Sequence, residues 1–383
     1  MSVTTPKGFV AAGAAAGLKV SGKPDLALVI NNGPEYAAAG VFTSNRVKAA
    51  PVVWSQQVLA DGKLRAVILN SGGANACTGP EGFGDTHRTA EHTASALGVG
   101  AIDVAVCSTG LIGVRLELDK IIETLPSLVE QASAEGGRAA AEAIMTTDTV
   151  SKQAEHRGSG WSIGGMAKGA GMLAPGLATM LVVITTDAVV PPAQLHDQLA
   201  DACRITFDRA DSDGCMSTND TVIVMANGAS GTTPDPTEFG AALTAVCADL
   251  AQQLIADAEG AAHEIEIVVA GAATEAEAVD VGRTVARSNL FKCAIFGNDP
   301  NWGRVLAAIG TTTATFEPDQ LDVAFNQIQV CRAGGIGEPR ELVDLSARKV
   351  RVDIDLHAGT ETATILTNDL TYDYVKENAE YSS

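Results

Sequence analysis

Residues 179–186 read TMLVVITT, and nothing polar interrupts positions 180–184. A strand with one face in water alternates apolar and polar residues with a period of two. This stretch does not alternate, so it needs apolar cover on both faces of its sheet. A chain that contains it has to build a layered sheet structure. A helical bundle or a single half-wet sheet would leave half of these side chains in water. The approach to the strand is also unusual. A Gly-rich polar loop, GGMAKGAGM (164–172), continues through LAPGLA straight into it, and Thr179 stands at the junction. Beyond the strand, Pro191-Pro192 is expected to end it sharply.

Other short apolar runs, at 26–31, 64–70, 102–108, 221–227, 264–270, 349–356 and 362–367, predict further strands. KVRVDIDL (349–356) alternates strictly, with Val350, Val352, Ile354 and Leu356 on one face, so its sheet has a wet side. Helical patterns lie between the strands. Asp235 stands before Pro236 and three residues before Glu238, a helix start with its cap and first-turn proline. Phe239, Leu243, Val246, Cys247, Leu250 and Leu254 continue it as a helical stripe. Thr274 and Glu277 have the capping-box spacing. Ile121, Ile122, Leu125, Leu128 and Val129 mark a third helix, which Pro126 is expected to kink or break. RAGGIGEPREL (332–342) reads as a loop linking sub-regions. The whole predicts a mixed α/β architecture with sheets covered by helices.

The chain has 383 residues, 46% hydrophobic and 19% charged, enough for one large layered domain or two smaller ones. Its net charge of −20 argues against a nucleic-acid or anionic-membrane partner, because phosphates require clustered Lys and Arg. No run of 18 consecutive apolar residues occurs, so no membrane span is expected, and the Gly-broken N-terminus lacks a secretory core. The seven widely spaced cysteines are expected to be buried, reduced thiols of a cytoplasmic protein, not a disulfide framework or a zinc site.

Four polar clusters follow or lie near predicted strands, where sheet proteins build sites: NSGGANACTG (70–79), CSTGLIG (107–113), GGMAKGAGM (164–172) and GNDPNWGR (297–304). None has the grammar of a phosphate loop, since Lys168 is followed by Gly169-Ala170. There is no dinucleotide fingerprint, no H-x-x-x-H pair and no G-x-S-x-G elbow. Thr179 remains. A threonine hydroxyl is a poor nucleophile until a base takes its proton. An α-amino group titrates at about 7.7–8.0 and suits that task. If the Ala178–Thr179 peptide opens, Thr179 carries its own base. From these residues alone, an ordinary strand threonine is the competing reading.

The run GGMAKGAGMLAPGLATMLVVITTDA resembles the signature of the ornithine acetyltransferase family, the glutamate N-acetyltransferases of arginine biosynthesis. PKGFVAAG, GVFTSNRVKAAPV, NSGGANACTG, CSTGLIG, MTTDT, STNDTVIVMANG, FGNDPNWGR and DLTYDYVKENAEYSS look like further family blocks in family order, so the resemblance covers nearly the whole chain. It implies a layered αββα-type sandwich similar to N-terminal-nucleophile hydrolases, with a smaller C-terminal α/β region. It implies self-cleavage between Ala178 and Thr179. The α chain (1–178) and β chain (179–383) would fold as one unit and associate as αβ pairs into a heterotetramer or larger.

The implied reaction is ping-pong: acetyl moves from N2-acetylornithine to Thr179 and then to glutamate, with no cofactor and no metal. Bifunctional members of the family also accept acetyl-CoA. The resemblance places the oxyanion hole at the Thr109 hydroxyl and the Gly110 N–H. It places substrate contacts at Thr146, Lys168, Thr179, Glu259, Asn378 and Ser383. The sequence departs from the family pattern at His263, where EGATK reads EGAAH, and at Cys215 and Met216 in SDGCMSTND. Two alternatives stay open at this level. One is an N-terminal-nucleophile aminopeptidase or amidase whose acyl-enzyme passes to water. The other is an uncleaved, non-catalytic paralogue that binds metabolites.

Overall fold

The computed structural model describes residues 2–172 and 180–380. Thr179, Ala178 and Ser383 lie outside the described residues. The described chain divides into two compact units. The first takes residues 2–170, 180–208 and 216–254; the second takes 171–172, 209–215 and 255–380.

Two sheets build the first unit. In one, Phe9–Ala14, Leu26–Asn31, Ala66–Asn70 and Val104–Ser108 lie side by side in that order, and only the last pair is parallel. The other runs Ala37–Phe42, Thr221–Ala226, Leu181–Thr186, Ser162–Lys168, Lys152–Arg157. The undivided apolar run therefore forms the central strand of five, parallel to Thr221–Ala226 and antiparallel to Ser162–Lys168. Its alternate side chains enter two cores. Leu181 and Val183 join Met166, Ile223 and Met225 against Leu28, Ile68 and Val106 of the first sheet. Val182 and Ile184 face Leu195 and Leu199 of the helix Pro192–Ile205 and Phe239, Leu243, Val246 and Leu250 of the helix Pro236–Ala256. Helices Ala50–Val58, Gly79–Leu97, Leu118–Gln131 and Gly137–Ala143 cover the first sheet. The unit is a helix–sheet–sheet–helix sandwich of the expected kind.

The second unit is the smaller α/β region. Its sheet runs Gly335–Ile336, Ile328–Arg332, Asp322–Phe325, Lys349–Asp355, Glu264–Ala272, Glu361–Asn368. Ile267, Val323, Val352, Ile354 and Ile365 pack against Val281, Val285, Phe291 and Val305, on the helices Glu275–Ala286, Asn289–Phe296 and Trp302–Ile309. The opposite face carries Arg351, Asp353 and Glu266, so this sheet has the wet side that its alternation predicts.

All the predicted strands occur, several with shifted ends; the run 179–186 is described as a strand from Leu181 to Thr186. Both predicted caps form: Asp235 Oδ1 accepts from the N–H of Thr237 and Glu238, and Thr274 Oγ1 accepts from Glu277 N–H. Four expectations need correction. Pro126 sits inside an unbroken helix, Leu118–Gln131, because burial of Leu118, Ile121, Leu125 and Leu128 outweighs the hydrogen bond that the ring removes. Pro191-Pro192 does not end the strand, which stops at Thr186; Pro192 opens the next helix. RAGGIGEPREL is not a linker but contains a tight hairpin, with Ala333 and Gly334 both at positive φ and Arg332 paired to Gly335. Only Cys107, Cys203, Cys247 and Cys331 are buried thiols; Cys77, Cys215 and Cys293 are exposed.

The helix Pro236–Ala256 is long and apolar enough to cross a bilayer by length and composition, but its stripe is buried in the second core.

The two-sided burial predicts unequal mutational costs. Ile184→Ala should destabilise the protein by about 2–5 kcal/mol in urea unfolding. Arg351→Ala, on the wet face of the other sheet, should stay within about 0.5 kcal/mol.

Candidate active site

The first unit gathers polar side chains at the ends of three strands, one in the first sheet and two neighbours in the second. Val104–Ser108 ends in Thr109 and Gly110. Thr109 is buried and tied on both sides, its N–H donating to Asn70 O at 3.0 Å and its carbonyl accepting from Gly73 N–H at 3.0 Å. Gly110 has φ +132°, and a Cβ there would lie 2.7 Å from Gly73 N and 2.9 Å from Gly73 Cα. Glycine is therefore required by both conformation and space. Among the described residues none accepts from the Gly110 N–H. The loop that follows is held by Arg115, which grips buried Asp85 through two hydrogen bonds of 2.7 and 2.8 Å.

Lys168 ends the strand Ser162–Lys168, buried, with Nζ donating to Thr109 Oγ1 at 3.4 Å. Behind it Asp148 organises the cluster. Oδ1 takes Lys152 Nζ at 2.6 Å and Gly169 N–H at 2.7 Å. Oδ2 takes Thr146 N–H at 2.9 Å and lies 4.0 Å from Lys168 Nζ. Burial works against the Asp148 charge, but Lys168 and Lys152 win and hold its carboxyl well below the usual carboxylate range. Lys19 completes the rim, donating to Met145 O at 2.7 Å and Pro24 O at 2.8 Å. Burial lowers its ammonium to about 8, with Asp25 opposing the shift and Lys168 adding to it.

The third strand end is that of Leu181–Thr186. Leu181 is opposite Lys168 on one side and Thr221 on the other. Met180 N–H donates to Asp220 Oδ1 at 3.0 Å.

In the second unit a cavity of about 290 Å³ is lined by carboxylates (Asp213, Glu259, Asp369), cations (Arg287, Lys292) and Tyr374. Gly171 lies against Glu259, where a Cβ would come within 2.6–2.7 Å of its carboxylate oxygens. Met172 N–H donates to Asp213 Oδ2 at 2.7 Å. Burial pushes the Tyr374 phenol up to about 12, helped by Asp213 and Glu259. His263 holds the loop that carries Glu259: Nδ1 lies 2.7 Å from Asp369 Oδ2 and Nε2 3.0 Å from Leu345 O. The Cys215 N–H bonds Asp213 Oδ1, whereas Met216, in the first unit, bonds Ser44 and Asn45.

Of the residues named from sequence, Thr109, Gly110, Thr146 and Lys168 come together around Asp148. Glu259 lines the cavity of the second unit. Asn378 is exposed on the helix Tyr372–Glu380 and donates to Tyr374 O in its own helix. Sequence reasoning missed Asp148, Lys152 and Asp220. The one signal for the two aspartates was an acidic residue embedded in each of two polar blocks, MTTDT and STNDT. Among the described residues no group of His, Cys, Asp and Glu could hold a metal.

A family model described as the ArgJ family matches residues 10–383. The chain belongs to the ArgJ family. Curated ArgJ relatives include the arginine biosynthesis bifunctional protein ArgJ of Streptomyces coelicolor, 64% identical over 383 residues and spanning all of both chains. The protein of the same name from Mycobacterium tuberculosis is 56% identical over 391 residues, covering all of this chain and 96% of that one. Among solved structures, ornithine acetyltransferase complexed with ornithine, from M. tuberculosis, is 61% identical; it covers 47% of this chain and 96% of that chain, with a TM-score of 0.45.

Asp148 yields a pH prediction. A carboxyl held below its ordinary value in the fold adds stability above about pH 3.9 and loses it as the pH falls. Asp148→Asn should be clearly less stable than wild type in urea at pH 7, and the gap should narrow between pH 5 and pH 3. An Asn variant as stable as wild type at pH 7 contradicts the role given to Asp148.

Proposed function

We propose that this ArgJ-family chain opens between Ala178 and Thr179 and then moves the acetyl group of N2-acetylornithine to glutamate through acetyl-Thr179. The observation that carries the reading is buried Thr109, next to Gly110, with Lys168 against its hydroxyl and Lys168 paired across the sheet with Leu181, in a chain of this family. The Thr179 amine takes the Oγ proton as Oγ attacks the acetyl carbonyl. The resulting oxyanion is received by the Thr109 hydroxyl and the Gly110 N–H. Because Lys168 donates to Thr109 Oγ1, the hydroxyl keeps its own proton to give to the oxyanion. Collapse expels the amino group of ornithine, which takes the proton held by the Thr179 ammonium; the amine of glutamate then attacks the acetyl ester, gives a proton to the Thr179 amine, and Oγ leaves and takes that proton. Splitting one exchange into two transfers is the purpose of a covalent nucleophile.

Lys168 suits the substrate α-carboxylate, and Glu259 suits the side-chain ammonium of ornithine. Thr146, Asn378 and Ser383 complete the substrate contacts on the family resemblance. Acetyl-CoA as a second donor accords with relatives that are called bifunctional. Assembly of αβ pairs into a heterotetramer and a cytoplasmic location rest on the resemblance alone.

Mass spectrometry of the purified protein should find two polypeptides that meet at Ala178/Thr179. Incubation with acetylornithine should add one acetyl group to the N-terminal peptide of the second. A fully active but uncut chain rejects the mechanism, and free acetate in place of acetylglutamate rejects the acceptor. Gly110→Ala should lower acetyl transfer by about 10²-fold or more, the typical cost of an oxyanion donor. Glu259→Gln should impair the half-reactions with ornithine far more than those with glutamate; equal losses in both argue against its pairing with the ammonium.

A further inference from the structure

The cavity of the second unit is lined by two opposite charges that do not pair. Lys292, on the helix Asn289–Phe296, is only 6% exposed. An ammonium carries several N–H donors. Among the described residues, Lys292 Nζ makes one hydrogen bond, to Ser212 O, and no ion pair. Glu259, half-buried in the same lining, makes neither with its carboxylate among the described residues. Other charged groups of the lining are already engaged. Arg287 Nε donates to Asp211 Oδ2 at 2.7 Å, and Asp369 Oδ2 lies 2.7 Å from His263 Nδ1. Asp213 accepts from the N–H groups of Met172 and Cys215.

The reaction proposed above gives both charges a use. It brings ornithine and glutamate to one site in turn. The two amino acids carry their terminal heteroatoms the same number of bonds from Cα. One ends in an ammonium and the other in a carboxylate. A subsite that offered only Glu259 would repel the acceptor it has to admit. We infer that Lys292 sets the specificity for the acceptor: its ammonium receives the side-chain carboxylate of glutamate, in the cavity where Glu259 receives the side-chain ammonium of ornithine. The inference rests on the reading of Glu259 given under the proposed function.

The surroundings favour Lys292 over its neighbour. Burial lowers its ammonium from the usual lysine range, and Asp213, Asp211 and Asp369 oppose that shift from beyond ion-pair distance. A carboxylate brought into contact supplies the close partner that these groups do not, in a charge-assisted hydrogen bond. Arg287 is half-exposed and already bound to Asp211, so a carboxylate gains less from it.

Two acetyl donors that differ only in their side chains test the assignment. N2-acetylornithine and N-acetylglutamate present chemically similar amides, so intact-mass spectrometry should show acetylation of the wild-type enzyme by either. Lys292→Met removes the ammonium and keeps the length of the side chain. Lys292→Gln also removes the charge but keeps a donor for Ser212 O. Both variants should lose little with N2-acetylornithine. Both should need about 10²-fold more N-acetylglutamate for the same rate of acetylation. As acceptors, glutamate and glutamine should become nearly equivalent for them.

A variant that loses the two donors equally overturns the inference, and so does one that uses N-acetylglutamate as the wild type does. If Lys292→Gln restores what Lys292→Met loses, the lysine serves only Ser212 O and the inference falls. The wild-type enzyme decides the matter if neither variant folds. It should prefer glutamate to glutamine as acceptor by about 10²-fold, and equal use of the two overturns the inference. A wild type acetylated by neither donor removes the proposed function and the inference with it. A wild type acetylated by both, beside variants that treat the donors alike, sinks the inference alone.

Discussion

The strand Leu181–Thr186 has no face to spare. Leu181 and Val183 belong to the core between the two sheets, while Val182 and Ile184 belong to the core beneath the helices Pro192–Ile205 and Pro236–Ala256. A slip of one residue would exchange these two sets and disturb both cores together. The register is therefore held from both sides, and it carries chemistry with it. With Leu181 opposite Lys168 and Thr221, the side chains of Lys168 and Asp220 are delivered to the same end of the sheet. Packing alone sets where this end of the strand must lie.

Electrostatics then refines that end. In a chain of net charge −20, two lysines are buried around the single carboxylate of Asp148. An unpaired charge in such a place would be prohibitive, and the geometry supplies compensation: short contacts to Lys152, two backbone N–H groups, and Lys168 at longer range. The long contact to Lys168 leaves its ammonium within reach of Thr109 Oγ1. Asp148 thus anchors Thr146 and aims Lys168 in one arrangement. The Arg115–Asp85 pair does similar work for the loop after Gly110.

The second unit solves a different problem. Its cavity mixes carboxylates with Arg287 and Lys292, a lining suited to a ligand that carries both signs of charge. His263, a departure from the family pattern, keeps a structural task through Asp369 and Leu345 and fixes the loop that bears Glu259. The substitution is absorbed because both ring nitrogens find polar partners in a buried place.

Periodicity and local grammar made much of this legible. The unbroken run at 180–184 announced a doubly covered strand, KVRVDIDL announced a half-wet one, and Asp235 and Thr274 announced their helices, because each signal is read within a few residues. The Gly-rich blocks marked where the chain bends close to other backbone, as at Gly110. Strands poor in apolar side chains, such as Ser162–Lys168 with its two glycines and Lys152–Arg157 with its charges, were invisible, since only their neighbours make them strands. The same holds for Pro126 and for the turn at Ala333-Gly334, where tertiary burial and hairpin pairing outweighed local preference. The sequence by itself determined that a layered α/β fold must form and where Gly-rich polar turns would follow its strands, because burial pattern and backbone freedom are local properties. Only the tertiary structure decided that Asp148 would unite Thr146, Lys152 and Lys168, and that Asp220 would grip Met180. Such partnerships join residues tens of positions apart, and their worth depends on a burial that no single segment possesses.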